Sequence, residues 1–236
     1  MKRVVLGLEK LLANPSEYLC GSTLGLVVNQ TSLTSDGQFS IGQFHSNKSF
    51  KLKALLAPEH GIYGVEQDMA LVADETDPLS GLSVQSLYGT DASSLAPSPT
   101  LLNGIDNLVF DIQDIGSRYY TFIYTLANCM KTCAISNTRM IVCDRPNPIN
   151  GVAVEGNLVK KKFQSFVGQY PIPNRHGMTV GELAVLFNEY FGIKCDLKVI
   201  PMEGWERSMW YDQTGLPWVS PSPNMPTLST ATVYPG

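Results

Sequence analysis

The chain has 236 residues, 44% apolar and 16% charged, with a formal net charge of −4. It is too apolar for disorder and long enough to bury a core. Its only basic cluster is the lysine run at 160–162, which excludes an extended nucleic-acid surface, and no run nears the roughly 20 apolar residues of a membrane span.

The opening "MKRVVLGLEKLLANP" begins like a signal peptide, but Glu9 and Lys10 interrupt its apolar stretch at once. The pattern predicts an amphipathic helix over 4–13 and, as written, a cytoplasmic chain. Residues 24–29, "LGLVVN", read as a first strand, and 50–58, "FKLKALLAP", as a second. Residues 65–100 are turn-rich, with a short strand around "SVQSLYG". "NLVFDI" (107–112) is a third main strand, 118–137 a helix and "RMIVCD" (139–144) a fourth. A helix over 179–192 closes on Gly192, and "DLKVIPM" (196–202) is a fifth strand. Apolar strands alternating with helices predict an α/β fold: a Rossmann-like, open, mostly parallel sheet covered on both faces. The expectation is a single domain over 1–236, with 201–236 an extended Pro- and Trp-rich segment lacking a closing helix. The five cysteines, an odd number lying mostly in apolar runs, read as buried free thiols. Cys129 and Cys133 share a helix face without further zinc ligands near them, so no metal is expected.

In open α/β sheets, ligands bind outside the carboxyl ends of the strands. Those ends deliver Asn29 after the first strand, Glu59 and His60 after the second, and Asp111, Gln113, Asp114 and Arg118 after the third. Asp144, Arg145 and Asn147 follow the fourth, and Glu203 and Trp205 the fifth. Two further segments add to this edge. "DRPNPINGVAVEG" uses two prolines and Asn-Gly to hold a rigid path that carries Glu155. "YPIPNRHGMTVGE" sets Arg175 and His176 before a helix start at which Thr179 and Glu182 form a capping box. Glu59 stands out because Pro58 fixes its entry, while Gly61 and Gly64 allow a ligand to approach. G-x-S-x-G, the phosphate loop and G-x-G-x-x-G are all absent, which argues against a hydrolase elbow, a nucleotide and a dinucleotide. Carboxylates beside aromatic platforms remain, the usual inventory for carbohydrate chemistry.

"APEHGIYG", "VFDIQDIGSRYYTFIYTL", "DRPNPINGVAVEG", "SFVGQYPIPNRHGMTVGELA", "VIPMEGWERSMWYDQTGLPWVSPSPNMPTL" and "VYPG" resemble the exo-β-N-acetylmuramidases of the NamZ type. The resemblance runs from about Gly7 to Gly236. It implies a glycoside hydrolase that releases terminal N-acetylmuramic acid from peptidoglycan during cell-wall recycling, without a cofactor. It also implies a Rossmann-like domain followed by a smaller one absent here, with the site in the cleft between them. Family members are often exported, so the resemblance allows a periplasmic or secreted location. The family's two catalytic glutamates fall on Glu59 and Glu155; of the two, Glu59, which follows Pro58 in an apolar neighbourhood, reads as the acid. Arg175 with His176, or else Arg118 or Arg145, is the candidate for the lactyl carboxylate. Asn29, Asp114, Asn147, Tyr120 and Asn224 are candidate positioning residues. Two other readings are a non-catalytic muropeptide- or amino-sugar-binding protein and a metal- or nucleotide-dependent transferase using Asp111 and Asp114.

Overall fold

The computed structural model describes residues 3–64, 75–88 and 92–236. Among these residues seven strands build one sheet: β1 Thr23–Val28, β2 Lys51–Ala57, β3 Glu75–Thr76, β4 Ser83–Ser86, β5 Asn107–Asp111, β6 Arg139–Cys143 and β7 Leu197–Ile200. The order is β3-β4-β2-β1-β5-β6-β7, parallel throughout except for the short edge strand β3. The Rossmann-like α/β expectation holds. Part of the turn-rich 65–100 segment lies outside the described residues.

The strands read as continuous apolar runs because both faces are covered. Alternate residues of β5 divide between two cores. Leu108 and Phe110 pack beneath α4 (Phe122–Ser136) and α5 (Val180–Val185), with Phe122, Leu126, Leu183 and Phe187. Val109 faces the other way, toward Leu8 and Leu11 of α1 (Gly7–Ala13) and Phe44 of α3 (Ser40–Ser46). The first turn of α1 lies directly on backbone: a Cβ at Gly7 would sit 2.3 Å from the Ile200 carbonyl oxygen and 2.6 Å from the Asp144 nitrogen.

Local differences from the sequence reading have local causes. Residues 4–6 stay extended because Val5 bridges antiparallel to Glu203. Residues 118–121 form a turn ahead of α4, with the Arg118 N–H donating to the Asn174 carbonyl at 2.8 Å. The helix beginning at α5 has the expected capping box but widens into a π turn over Leu186–Tyr190. There Phe187 stacks on Tyr170, with centroids 4.6 Å apart, and Asn188 Oδ1 accepts the Cys195 N–H at 2.9 Å. A four-residue helix, α2 (Pro15–Tyr18), follows α1. The 201–236 segment is irregular for most of its length but ends in a further helix, α6 (Leu228–Val233), whose first turn is capped by the Thr227 hydroxyl. α3 was likewise not anticipated. All five cysteines are free thiols, and burial pushes Cys195 up to about 11. Among the described residues, no helix is long and apolar enough to cross a membrane.

The strand order fixes where a ligand can enter. From β1 the chain proceeds through β2 to β4 on one side; from β5 it proceeds through β6 to β7 on the other. The loops after β1 and β5 therefore diverge, opening a crevice at the carboxyl edge.

Candidate active site

Next to that crevice, β2 ends on Ala57 and Pro58, and the chain turns sharply. The Gly61 N–H returns to the Pro58 carbonyl at 3.1 Å. His60 (φ 73°) and Gly61 (φ 76°) are both left-handed. For histidine that conformation costs on the order of 1 kcal/mol, and such strain clusters at ligand sites. The turn holds Glu59 and His60 at 7% and 8% exposure on the wall of a cavity of about 370 Å³. The Thr121 hydroxyl, at the start of α4, donates to Glu59 Oε2 at 3.1 Å.

The remaining walls are largely aromatic. Tyr119 packs against Tyr234 at 5.2 Å between centroids, Tyr120 meets Tyr234 edge-on at 5.9 Å, and Tyr88 packs against Phe166 at 6.0 Å. Burial holds the Tyr120 hydroxyl far above the ordinary tyrosine range despite the Ser222 hydroxyl beside it. It therefore stays a neutral O–H at any working pH. Asn224 completes the rim. Of the sequence candidates, Glu59, His60, Tyr120 and Asn224 share this cavity.

A second group lies at the β1–β5 divergence. Asn29 Oδ1 accepts from the Thr31 N–H and hydroxyl at 2.9 and 2.6 Å, while its Nδ2 is buried with no hydrogen-bond partner among the described residues. Asp114 Oδ2 accepts from the Gly116 N–H at 2.8 Å and from His176 Nε2 at 3.1 Å. His176 Nδ1 accepts the Met178 N–H at 3.1 Å, so Nε2 carries the proton that Asp114 receives. Asp114 Oδ1, Gln113 Oε1 and Ser117 Oγ are buried without partners among the described residues. Orphaned polar atoms at a strand-end crevice are what a hydrogen-bonding ligand would satisfy.

The other candidates hold the scaffold. Arg145 is buried and grips Asp111 with two bonds, Nε to Oδ1 at 2.7 Å and Nη2 to Oδ2 at 2.9 Å; Nη2 also donates to the Leu33 carbonyl. Neither Asp111 nor Arg145 lines the Glu59 cavity, and no group of three or more acids, histidines or cysteines able to hold a metal forms among the described residues. Asp144 accepts the Gly181 N–H at 2.8 Å and the Thr179 hydroxyl at 3.1 Å, tying β6 to the start of α5. Burial raises it to about 6. Asn147 closes its own loop between the Ile149 N–H and the Met178 carbonyl. Arg118 Nη1 donates to the Ile172 carbonyl at 2.8 Å and to that of Asn157.

Glu155 stands elsewhere. Its side chain is 65% exposed and pairs with Arg175 Nη1 at 2.8 Å, in a separate depression of about 500 Å³ shared with Asn174 and Val233. The Arg175 guanidinium also bonds the Ile149 carbonyl and lies 5.6 Å from the Trp210 ring centroid. The two glutamates thus line different cavities. The end of α6 borders both, Tyr234 on one side and Val233 on the other.

Sequence reasoning missed Thr121, Tyr88, Phe166, Ser222 and Tyr234. Thr121 was concealed inside a run read as helix and Tyr88 at the end of one read as a short strand, and the others lie in irregular segments whose spacing carries no signal.

The family model described as exo-β-N-acetylmuramidase NamZ, N-terminal, matches residues 24–229. The chain belongs to the NamZ family. It is 43% identical over 233 residues to the peptidoglycan β-N-acetylmuramidase NamZ of Bacillus subtilis (strain 168), covering 99% of this chain and 56% of that protein. Two crystal structures of DUF1343 family proteins from Bacteroides fragilis NCTC 9343 share the fold. One has a TM-score of 0.90 at 40% identity over 98% of this chain and 58% of its own; the other has 0.80 at 30% over 99% and 60%. The chain therefore spans less than two thirds of these NamZ-like relatives.

Proposed function

We propose that this NamZ-family chain supplies the catalytic cavity of a glycoside hydrolase that releases terminal N-acetylmuramic acid from the non-reducing end of peptidoglycan fragments. The observation that carries this reading is Glu59, a buried carboxyl on a strained turn, hydrogen-bonded to Thr121 and walled by tyrosines. The name of the Bacillus subtilis relative supports the same chemistry.

In this reading Glu59 is the acid that protonates the leaving glycosidic oxygen as the bond to the anomeric carbon breaks. Thr121 sets its rotamer, and Tyr119 and Tyr234 offer apolar faces to the sugar ring. Asp114, held through Oδ2 by His176 and Gly116, presents Oδ1 to a hydroxyl or amide N–H of the sugar. Glu155 is the second carboxylate, carried in an ion pair with Arg175, the residue best placed beside it to receive the lactyl carboxylate. Carboxyl groups about 5 Å apart in the substrate complex would give retention; about 6.5–9.5 Å would leave room for a water and give inversion.

The test is Glu59→Gln, assayed for hydrolysis of a chromogenic β-N-acetylmuraminide, with calorimetric binding of the free sugar measured in parallel. The expected loss in kcat is about 10³-fold, within the range for a general acid, with binding retained. Unchanged hydrolysis would overturn the assignment of Glu59. Sugar binding without turnover in the unsubstituted protein would favour the binding-protein reading instead.

A further inference from the structure

An open groove of about 410 Å³ adjoins the Glu59 cavity, and Tyr119 and Val167 line both. A ligand longer than one sugar that fills the cavity can continue into this groove. Its chemistry differs from that of the cavity. Arg118 and Lys160 stand on its wall, and among the described residues none that lines it is acidic, in a chain with net charge −4. Arg118 and Lys160 have no carboxylate partner among the described residues. Arg118 is already fixed by its bonds to the Ile172 and Asn157 carbonyls, so little side-chain entropy is lost when it receives an anion. Phe163, Leu158 and Val167 are 65%, 55% and 45% exposed beside these cations. Lys162 lies over the Phe163 ring at 4.9 Å. Exposed apolar side chains lining a concave surface mark a binding face. A fixed guanidinium and a second cation beside an aromatic side chain suit a sugar ring that bears a carboxylate.

We propose that this groove is a subsite for a free carboxylate on an acidic sugar further along the glycan, so that the protein reads a second acidic unit beyond the one held by Glu59. This rests on the muramidase reading for the identity of the glycan but on the groove alone for its charge preference.

The test compares three ligands: a N-acetylmuramyl-N-acetylglucosamine disaccharide, the corresponding tetrasaccharide, and that tetrasaccharide with its inner carboxyl converted to the methylamide. Affinities come from calorimetry and turnover from product release, with the unsubstituted protein and with Lys160→Ala and Phe163→Ala. Both substitutions are at exposed positions outside the Glu59 cavity. The tetrasaccharide is expected to bind about tenfold tighter than the disaccharide, the size of one charge-assisted hydrogen bond. The methylamide and either substitution should remove that gain and leave disaccharide binding unchanged. A gain that survives the methylamide or Lys160→Ala, or no gain in the unsubstituted protein, would overturn the subsite. Absent turnover with the affinity pattern intact would count against the muramidase reading and leave the subsite standing.

Discussion

Replacing Asp111 with Asn removes the carboxylate that holds the Arg145 guanidinium at 2.7 and 2.9 Å. The two side chains are 0% and 3% exposed, and among the described residues the Leu33 carbonyl is the other hydrogen-bond partner of the guanidinium. The substitution therefore leaves a buried cation without its counter-charge, and losing one partner of such a pair costs about 3–5 kcal/mol. A domain of this kind has a total stability of roughly 5–15 kcal/mol, so the loss is a large share. With a urea slope of about 2–3 kcal/mol/M, the unfolding midpoint should fall by about 1–2 M. Urea titration followed by far-UV circular dichroism and by fluorescence measures it. The double variant Asp111→Leu with Arg145→Met should recover most of the loss, because no charge then remains to be desolvated. A midpoint that moves by less than about 0.3 M in Asp111→Asn, or a double variant as unstable as the single one, would refute this account of the pair. So would an Arg145→Met protein that keeps its stability but loses sugar affinity, since that would make Arg145 a ligand contact and not a brace.

Asp144 gives the chain a pH-dependent component of stability. Its folded value of about 6 lies above the ordinary 3.8, so its contribution is complete below about pH 4 and is lost as pH rises through 6. At about 1.36 kcal/mol per pH unit the swing is on the order of 3 kcal/mol. Unfolding free energies measured from pH 3.5 to 7.5 should show the unsubstituted protein losing that amount relative to Asp144→Asn; parallel profiles would contradict it. Thr121→Val deletes the hydroxyl that holds Glu59 Oε2. It should lower kcat by about tenfold, the upper end for a hydrogen bond between neutral groups, with KM little changed; a pure KM effect in steady-state assays would show that Thr121 serves binding instead.

Much of the architecture was legible because it rests on short-range patterns. Apolar runs such as "NLVF" alternate with helical stretches, so the parallel, doubly covered sheet follows from the need to bury both faces. The α5 cap was legible because Thr179 and Glu182 lie three apart. The left-handed His60 was not, since histidine rarely adopts that conformation without a surrounding fold that enforces it. Nor was α6, whose composition resembles the irregular chain before it.

The roles of the charged side chains divide along the same line. The sequence alone determined that Glu59, Asp111, Asp114, Asp144 and Arg145 reach the carboxyl edge, because each lies at or just after the end of an apolar run. Only the tertiary structure decided which are satisfied there. Arg145 is neutralised by Asp111 across 34 residues, and Arg175 by Glu155 across 20, whereas Glu59 lines a cavity and accepts a hydrogen bond from Thr121 across 62. Such pairings depend on which strand ends and loops lie side by side. Asp111 ends β5 and Arg145 follows its neighbour β6, while Glu155 and Arg175 meet through a bridge between two loops; both contacts are set by packing of the whole fold, which leaves no trace in local spacing.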